Sequence, residues 1–466
     1  MQEGAFVIVV PNSMAFRALV ESNVLSILKR EGRQRIVVIS SANESRSRLP
    51  VDVEWRSLEQ PCELPPQQSW LRRIARAVSV RVSKFGMDYG NLSFRFNHLC
   101  GFKAHKFKQQ LGKERQKREV VAGNYVASKF GWPFPSSRWL YRFIYGLYYA
   151  KWQIPDRAIE QFFHETPIDM IVLWYVQSLI YRDYSICIRK HNLQAVGVIG
   201  SWDRPTTKGP ICPGCDRYIV NSEIMKRELM TYHEVLAKRI DIVGWPQMDV
   251  YKNPLTFQGR AEFLDSIGVK PDHKLLLFAG NSERLGAHEP GIVTFLERRM
   301  NEGEYGENVS LLVRAHPNDH RWKTRFVDLI GRPNVTVMPG GMGNIALLAS
   351  TLFHADIVIA TQGSVSLDAV AFDKCVINIA FDGNLEKSYA DSVSRWYEMD
   401  HYRPVVESGG VKIIRDFDEL DQSIPTYLKN PSKDKDAREK LRCLELEPFD
   451  GRSSYRQAMA MMGRQL

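Results

Sequence analysis

The chain has 466 residues, 44% hydrophobic and 25% charged, which suits a globular protein with room for two or three cores and excludes a disordered or fibrous one. Its formal net charge of +10 is uneven, because between Arg72 and Arg118 thirteen Lys or Arg face two acids, Asp88 and Glu114. Seven scattered cysteines make no disulfide framework. No apolar run reaches the roughly 18–20 residues of a membrane span, and Met1-Gln2-Glu3-Gly4 leads straight into an apolar run without a signal leader. The expected location is cytoplasmic.

In chain order, the apolar run 5–10 predicts a strand, 15–30 a helix and 35–40 a second strand, a β-α-β opening without GxGxxG and so without a dinucleotide signature. From about 61 to 155 the pattern turns basic, aromatic and helical, and it reads as an insertion in the first domain. Its aromatic cluster, Trp132 to Trp152, suits either a core or a helix at a lipid surface. The basic stretch 72–118 suits either a solvated helical face or an anionic partner, with anionic membrane the partner expected and no specific nucleic acid. Strand and helix signals then alternate: strands over 169–174, 195–200, 216–221 and 239–244, with helices over 177–191 and, capped by Ser222, to 233. Residues 254–259 read as a linker.

A second alternation follows, with strands over 274–279, 309–313, 335–338, 355–360 and 376–380 and helices over 260–267, 290–300, 320–330 and 345–352. Short apolar runs bounded by turn residues are buried parallel strands, and ligands bind beyond their carboxyl ends. Two such sheets in succession predict a cleft between two domains. Two loops stand out. Arg314-Ala315-His316-Pro317 places a guanidinium and an imidazole on a turn stiffened by proline, a pairing suited to phosphate oxygens. Gly363-Ser364-Val365-Ser366 adds a close-approach glycine, two hydroxyls and a helix start. In the first domain, Ser201-Trp202-Asp203 follows a strand, and Asp203 is a candidate general base or else a structural acceptor for Arg204 or Lys208. Cys212-Pro213-Gly214-Cys215 is a lone CxxC and reads as a turn rather than a metal site.

Ser201-Trp202-Asp203, Ile242 to Asp249, Arg314-Ala315-His316-Pro317, Gly363-Ser364-Val365-Ser366-Leu367-Asp368-Ala369 and Asp450-Gly451-Arg452-Ser453, in that order, resemble bacterial GT-B transferases of surface-polymer synthesis. The pattern is nearest to the CDP-glycerol glycerophosphotransferases and the surface carbohydrate biosynthesis proteins. The His-Pro and paired-Ser elements are similar to those of polysialyltransferases and capsule Kdo transferases, although the acidic Asp/Glu-Asp/Glu-Gly motif is missing. The resemblance implies an α/β fold of GT-B type, two Rossmann-like domains facing a central cleft. The first, 1–253 with the insertion 61–155, would take the acceptor. The second, 254–449, would take the donor, and a last helix in 450–466 would return to the first. It implies Arg314 and His316 on the donor phosphate, Gly363, Ser364 and Ser366 beside them, and Asp382 or Gly383 near the nucleoside. Asp203, ahead of Asp88, and His316 are the candidates for catalysis.

The expected function is a glycosyltransferase that uses a nucleotide-activated sugar, CMP-, CDP- or UDP-linked, to build a cell-surface polysaccharide such as a capsule on a glycan or lipid-linked acceptor. No metal or other cofactor is expected, and contact with the membrane would be peripheral, on its inner face. The alternatives are a CDP-glycerol-type glycerophosphotransferase, a non-hydrolysing UDP-sugar 2-epimerase, which shares the fold, and a non-catalytic scaffold of a membrane-bound synthesis complex.

Overall fold

The computed structural model of the protein describes residues 4–33, 35–40, 48–57, 146, 149–151, 153–176, 181–207, 211–283, 285–340, 345–388 and 391–464. The basic stretch 72–118, Asp88 and nearly all of the expected insertion 61–155 lie outside them. The chain divides into two compact units, residues 1–246 with 452–466, and residues 247–451.

Among the described residues, the first unit is built on seven strands, β1 (Ala5–Val10), β2 (Ile36–Ser40), β3 (Glu54–Arg56), β4 (Ile168–Trp174), β5 (Ala195–Val198), β6 (Arg217–Val220) and β7 (Ile240–Ile242), in the order β3-β2-β1-β4-β5-β6-β7. Every pairing is parallel. All six residues of β1 are buried, as a strand covered on both faces requires. The chain starts mid-sheet, winds outward to β3 and reverses to β4, which is the doubly wound plan. The last helix, Ser453–Met461, belongs to this unit: Ala458 to Met462 join the core of Phe6, Ile8 and Leu28, and the Arg456 Nε donates to the Val243 carbonyl at 2.9 Å.

The second unit repeats the plan with β8 (Lys274–Ala279), β9 (Val309–Arg314), β10 (Val335–Met338), β11 (Ile357–Thr361), β12 (Cys375–Ile379) and β13 (Lys412–Ile414), ordered β10-β9-β8-β11-β12-β13. All its pairings are again parallel, so β8, β9, β11 and β12 end on one edge. The strand order reverses between β8 and β11. Its core gathers Leu276, Phe278, Leu311, Val313, Ile357, Ile359, Ile377 and Ile379 with Ile292 and Leu296 from the helix Glu289–Asn301.

Several elements differ from the sequence reading. The helix expected over 15–30 is two helices, Ser13–Glu21 and Val24–Arg30. Ser22 turns extended (φ −85°, ψ 157°) and its hydroxyl donates to the Leu19 carbonyl at 2.8 Å, so a polar side chain takes the bond that would have carried the helix onward. The helix expected over 320–330 shrinks to Trp322–Arg325 and a 3-10 turn, Val327–Leu329. The strands β3 and β13 and the helices Arg403–Ser408, Phe417–Lys429 and Lys435–Glu445 were not anticipated. The expected linker 254–259 is docked: Phe257 stacks on Phe353 at 4.4 Å, and the Gln258 carbonyl meets His354 Nε2 at 3.1 Å. Cys212 and Cys215 are buried thiols, with burial raising Cys212 and pushing Cys215 up to about 12, and Cys212 Sγ donates to the Val176 carbonyl at 2.8 Å. Such thiols hold a turn.

Candidate functional site

Three strand ends of the second unit, those of β9, β11 and β12, carry residues singled out in the sequence. Arg314 closes β9 and is 8% exposed; its guanidinium donates to the Gly340 carbonyl. It also faces Asp368, whose carboxyl accepts from the buried Tyr251 hydroxyl at 2.9 Å. Burial pushes Asp368 up to about 6, against the pull of Tyr251 and Arg314. A guanidinium has five N–H donors, so the bond to Gly340 aims the fork without by itself exhausting it. Gly340 is where the β10 loop presses on the β9 loop. A Cβ there would stand 2.3 Å from the Ala315 carbonyl oxygen and 2.5 Å from His316 C and Pro317 N.

His316 is half-buried, and its Nδ1 accepts from the Asn318 N–H at 3.0 Å. In the neutral ring the proton therefore sits on Nε2, which makes that nitrogen the donor.

After β11, Gly363 and Ser364 precede the helix Val365–Ala371. Ser364 is exposed and makes no side-chain cap bond. Ser366 is different, and the expectation that it contacts phosphate needs correction. It is 0% exposed, and its hydroxyl bonds the Asn378 side chain at 2.9–3.2 Å. The same Asn378 accepts from the Tyr402 hydroxyl at 2.6 Å. The Tyr397 and Tyr402 hydroxyls also bond the backbone of Gln362 and Gly363 respectively. Ser366 thus braces the loop from beneath. Asp382, after β12, is likewise occupied: it pairs with Lys387 at 3.1 Å and accepts from the Val393 N–H at 3.2 Å, which ties down the following loop. Gly383 next to it sits at φ +59°, a conformation that favours glycine.

Asp203 lies in the first unit, just past β5, where its carboxylate accepts from Ser201 Oγ at 2.6 Å and its carbonyl from Thr206 Oγ1 at 3.1 Å. The alternative partners named for it, the Arg204 side chain and Lys208, lie outside the described residues.

A buried polar cluster behind these loops was not legible in the sequence. Glu289 is 0% exposed and opens the helix Glu289–Asn301. Its oxygens accept from the Asn281 N–H at 2.8 and 3.0 Å, from Thr361 Oγ1 at 3.1 Å and from Arg325 at 3.0 Å. Burial pushes Glu289 up to about 7 against those donors, Arg325 foremost. Its neighbour His288 meets Thr361 Oγ1 through Nε2 at 3.2 Å, and burial holds it down at about 4, with Lys387 acting the same way. Arg325 also binds the Asp319 carboxylate and the carbonyls of Gly286 (2.6 Å) and Asn281 (3.2 Å). These partners come from separate loops, so no spacing announced them.

Residues 208–461, more than half of the chain, match the family described as CDP-Glycerol:Poly(glycerophosphate) glycerophosphotransferase. No curated protein matches by sequence. Among solved structures, the chain is similar to a UDP-GlcNAc 2-epimerase from Neisseria meningitidis bound to UDP-GlcNAc, with a TM-score of 0.55 and 9% identity over 99% of this chain and 100% of that one. It is similar to a putative UDP-N-acetylglucosamine 2-epimerase from Listeria monocytogenes, at 0.54 and 13% over 99% and 96%. It is similar as well to the S. aureus MnaA–UDP co-structure, at 0.51 and 11% over 97% and 94%. At such identities the likeness speaks for fold alone, and the fold is the one GT-B transferases share with these epimerases.

Proposed function

As a member of the CDP-glycerol:poly(glycerophosphate) glycerophosphotransferase family, the chain is a nucleotide-donor transferase, and we propose that it uses a nucleotide-activated sugar to extend a cell-surface polysaccharide such as a capsule. One observation carries the reading. The segment that matches the family contains Arg314, His316, Gly363 and Ser364, and these stand at the carboxyl ends of β9 and β11 on one edge of one sheet. The leaving nucleotide gains negative charge on its phosphate as its bond to the transferred group breaks. Donors already held in place stabilise that charge without reorganising. The Arg314 fork, the His316 Nε2–H and the Ser364 hydroxyl supply such donors, while Ser366 and Asp382 hold the loops that carry them. Asp203 is the proposed base for the acceptor hydroxyl. The acceptor is a glycan or a lipid-linked glycan, and the basic stretch 72–118 would bring the protein to an anionic membrane surface; no helix among the described residues is long and apolar enough to cross one.

The second reading, transfer of a glycerophosphoryl group, is favoured by the family's own description. Both readings demand a nucleotide. A panel of CMP, CDP and UDP in a thermal-shift assay should raise the melting temperature of the wild type with one of them. His316→Ala should bind that nucleotide about 10- to 100-fold more weakly, the loss of one charge-assisted hydrogen bond. If no nucleotide moves the melting temperature, the transferase reading fails and a scaffold gains. Turnover of a UDP-sugar without acceptor would instead indicate an epimerase. Mass spectrometry of acceptors incubated with sugar nucleotides or CDP-glycerol separates the two transfers.

A further inference from the structure

We propose that Asp319, Arg325 and Glu289 form a positioning cluster that sets the His316 loop and the Ser364 loop in register for the donor nucleotide, an inference that rests on the transferase reading above. Three chain segments converge on Arg325. From the β9 loop, the Asp319 carboxylate binds its guanidinium, and the Asp319 N–H donates to the His316 carbonyl at 2.8 Å. From the β8 loop, the Asn281 and Gly286 carbonyls accept from it at 3.2 and 2.6 Å. Its fourth partner, Glu289, holds the Asn281 N–H and the hydroxyl of Thr361, the last residue of β11, one step before Gln362-Gly363-Ser364. The β8 and β11 loops also touch directly, through Asn281 Nδ2 and the Gln362 carbonyl at 3.5 Å. Arg325 through Asp319, and Glu289 through Thr361, therefore tie both candidate phosphate loops to the β8 loop between them.

Physical chemistry favours a geometric role over a stabilising one. The side chains of Arg325, Glu289 and Asp319 are 8%, 0% and 0% exposed. Desolvating such charges costs about as much as their attraction returns, and apolar replacements are often equally stable. What apolar groups cannot supply is a planar fork that fixes four partners at defined angles. Lysine keeps the charge at position 325 but not the fork. None of the three is placed to touch the nucleotide, so they are positioning residues.

The test compares Arg325→Lys and Glu289→Gln with Arg438→Lys. Arg438 is a control from the same unit: 2% exposed, it donates to Asp373 at 2.7 Å and to the Pro431 carbonyl at 3.0 Å, beside the amino end of β12, on the opposite edge of the sheet. Melting temperature, affinity for CMP, CDP and UDP, and backbone hydrogen exchange are measured on each full-length variant. Arg325→Lys and Glu289→Gln should weaken nucleotide binding on the order of tenfold or more, the scale of a sub-ångström to 1 Å misplacement. They should also speed exchange across both the His316 loop, 314–319, and the Ser364 loop, 361–366. Arg438→Lys, even at an equal loss of melting temperature, should leave both within about twofold. Unchanged affinity and exchange in the two cluster variants, or an equal loss in Arg438→Lys, overturns the inference; Glu289→Gln decides if Arg325→Lys does not fold. Should the wild type bind no nucleotide, the transferase reading falls, while the exchange pattern still decides whether the cluster orders the two loops.

Discussion

Substituting Gly340 by alanine tests how tightly the His316 loop is held. A Cβ at 340 would lie 2.3 Å from the Ala315 carbonyl oxygen, and contacts this side of 3.0 Å are not tolerated. Reaching an ordinary 3.4 Å requires the two loops to part by 3.4 − 2.3, or about 1.1 Å. All three offending atoms are main chain, and one belongs to Pro317, so no side chain can swing away. The same movement pulls the Gly340 carbonyl off Arg314. Overpacking of this kind costs about 1–3 kcal/mol, and displacing a binding group by about 1 Å lowers turnover about 100-fold. Urea unfolding reads the first figure; nucleotide affinity, and transfer once the donor is known, read the second. Wild-type stability together with wild-type affinity in Gly340→Ala would falsify the claim that this contact sets the position of His316.

Gly291→Ala makes the opposite case: nothing lies within 4 Å of its Cβ in the helix Glu289–Asn301, so the variant should be more stable by about 0.5 kcal/mol or more in the same unfolding assay. Ser364→Ala and Ser366→Ala should separate cleanly. The exposed Ser364 should leave stability within about 0.5 kcal/mol and weaken nucleotide binding, whereas loss of the buried Ser366 hydroxyl should cost about 0.5–1.5 kcal/mol by removing its bonds to Asn378, which keeps Tyr402 and the Ala360 carbonyl. Equal behaviour of the two serines counts against the distinction. For pH, His288 is held near 4, below its ordinary 6.5, so its contribution is complete above pH 6.5 and fades as pH falls through 4. Glu289 moves from 4.5 up to about 7, so its contribution is complete below pH 4.5 and is lost as pH rises through 7. Each is worth roughly 3 kcal/mol, and between pH 4.5 and 6.5 their slopes oppose. Glu289→Gln removes one slope, so its melting temperature should drop more steeply than that of the wild type on acidification through this window. Parallel curves for the two proteins rule the account out.

The strands were legible because a strand buried on both faces must be a short, continuous apolar run, and that is a local property. Lys274–Ala279 and Val335–Met338 were read to the residue. The helix 15–30 was misread because the side-chain bond of Ser22 to Leu19 ends a helix that apolar spacing would continue. Composition gave no hint of the helix Phe417–Lys429, whose Pro425 reads as a breaker but is carried in its interior.

By itself, the sequence determined which loops follow which strands, and therefore that an arginine, an imidazole and a glycine-serine turn stand at strand ends in one half of the chain. Only the tertiary structure decided which of these side chains face outward. Ser364 and Ser366 are two residues apart at a helix start, where successive side chains rotate by about 100°, so one is exposed and the other is buried against Asn378. Nor could spacing reveal the meeting of Glu289 with Thr361, 72 residues away, or with Arg325, 36 away. Those contacts exist because β8 and β11 lie side by side where the sheet reverses, and adjacency of strands distant in sequence is a property of the folded chain alone.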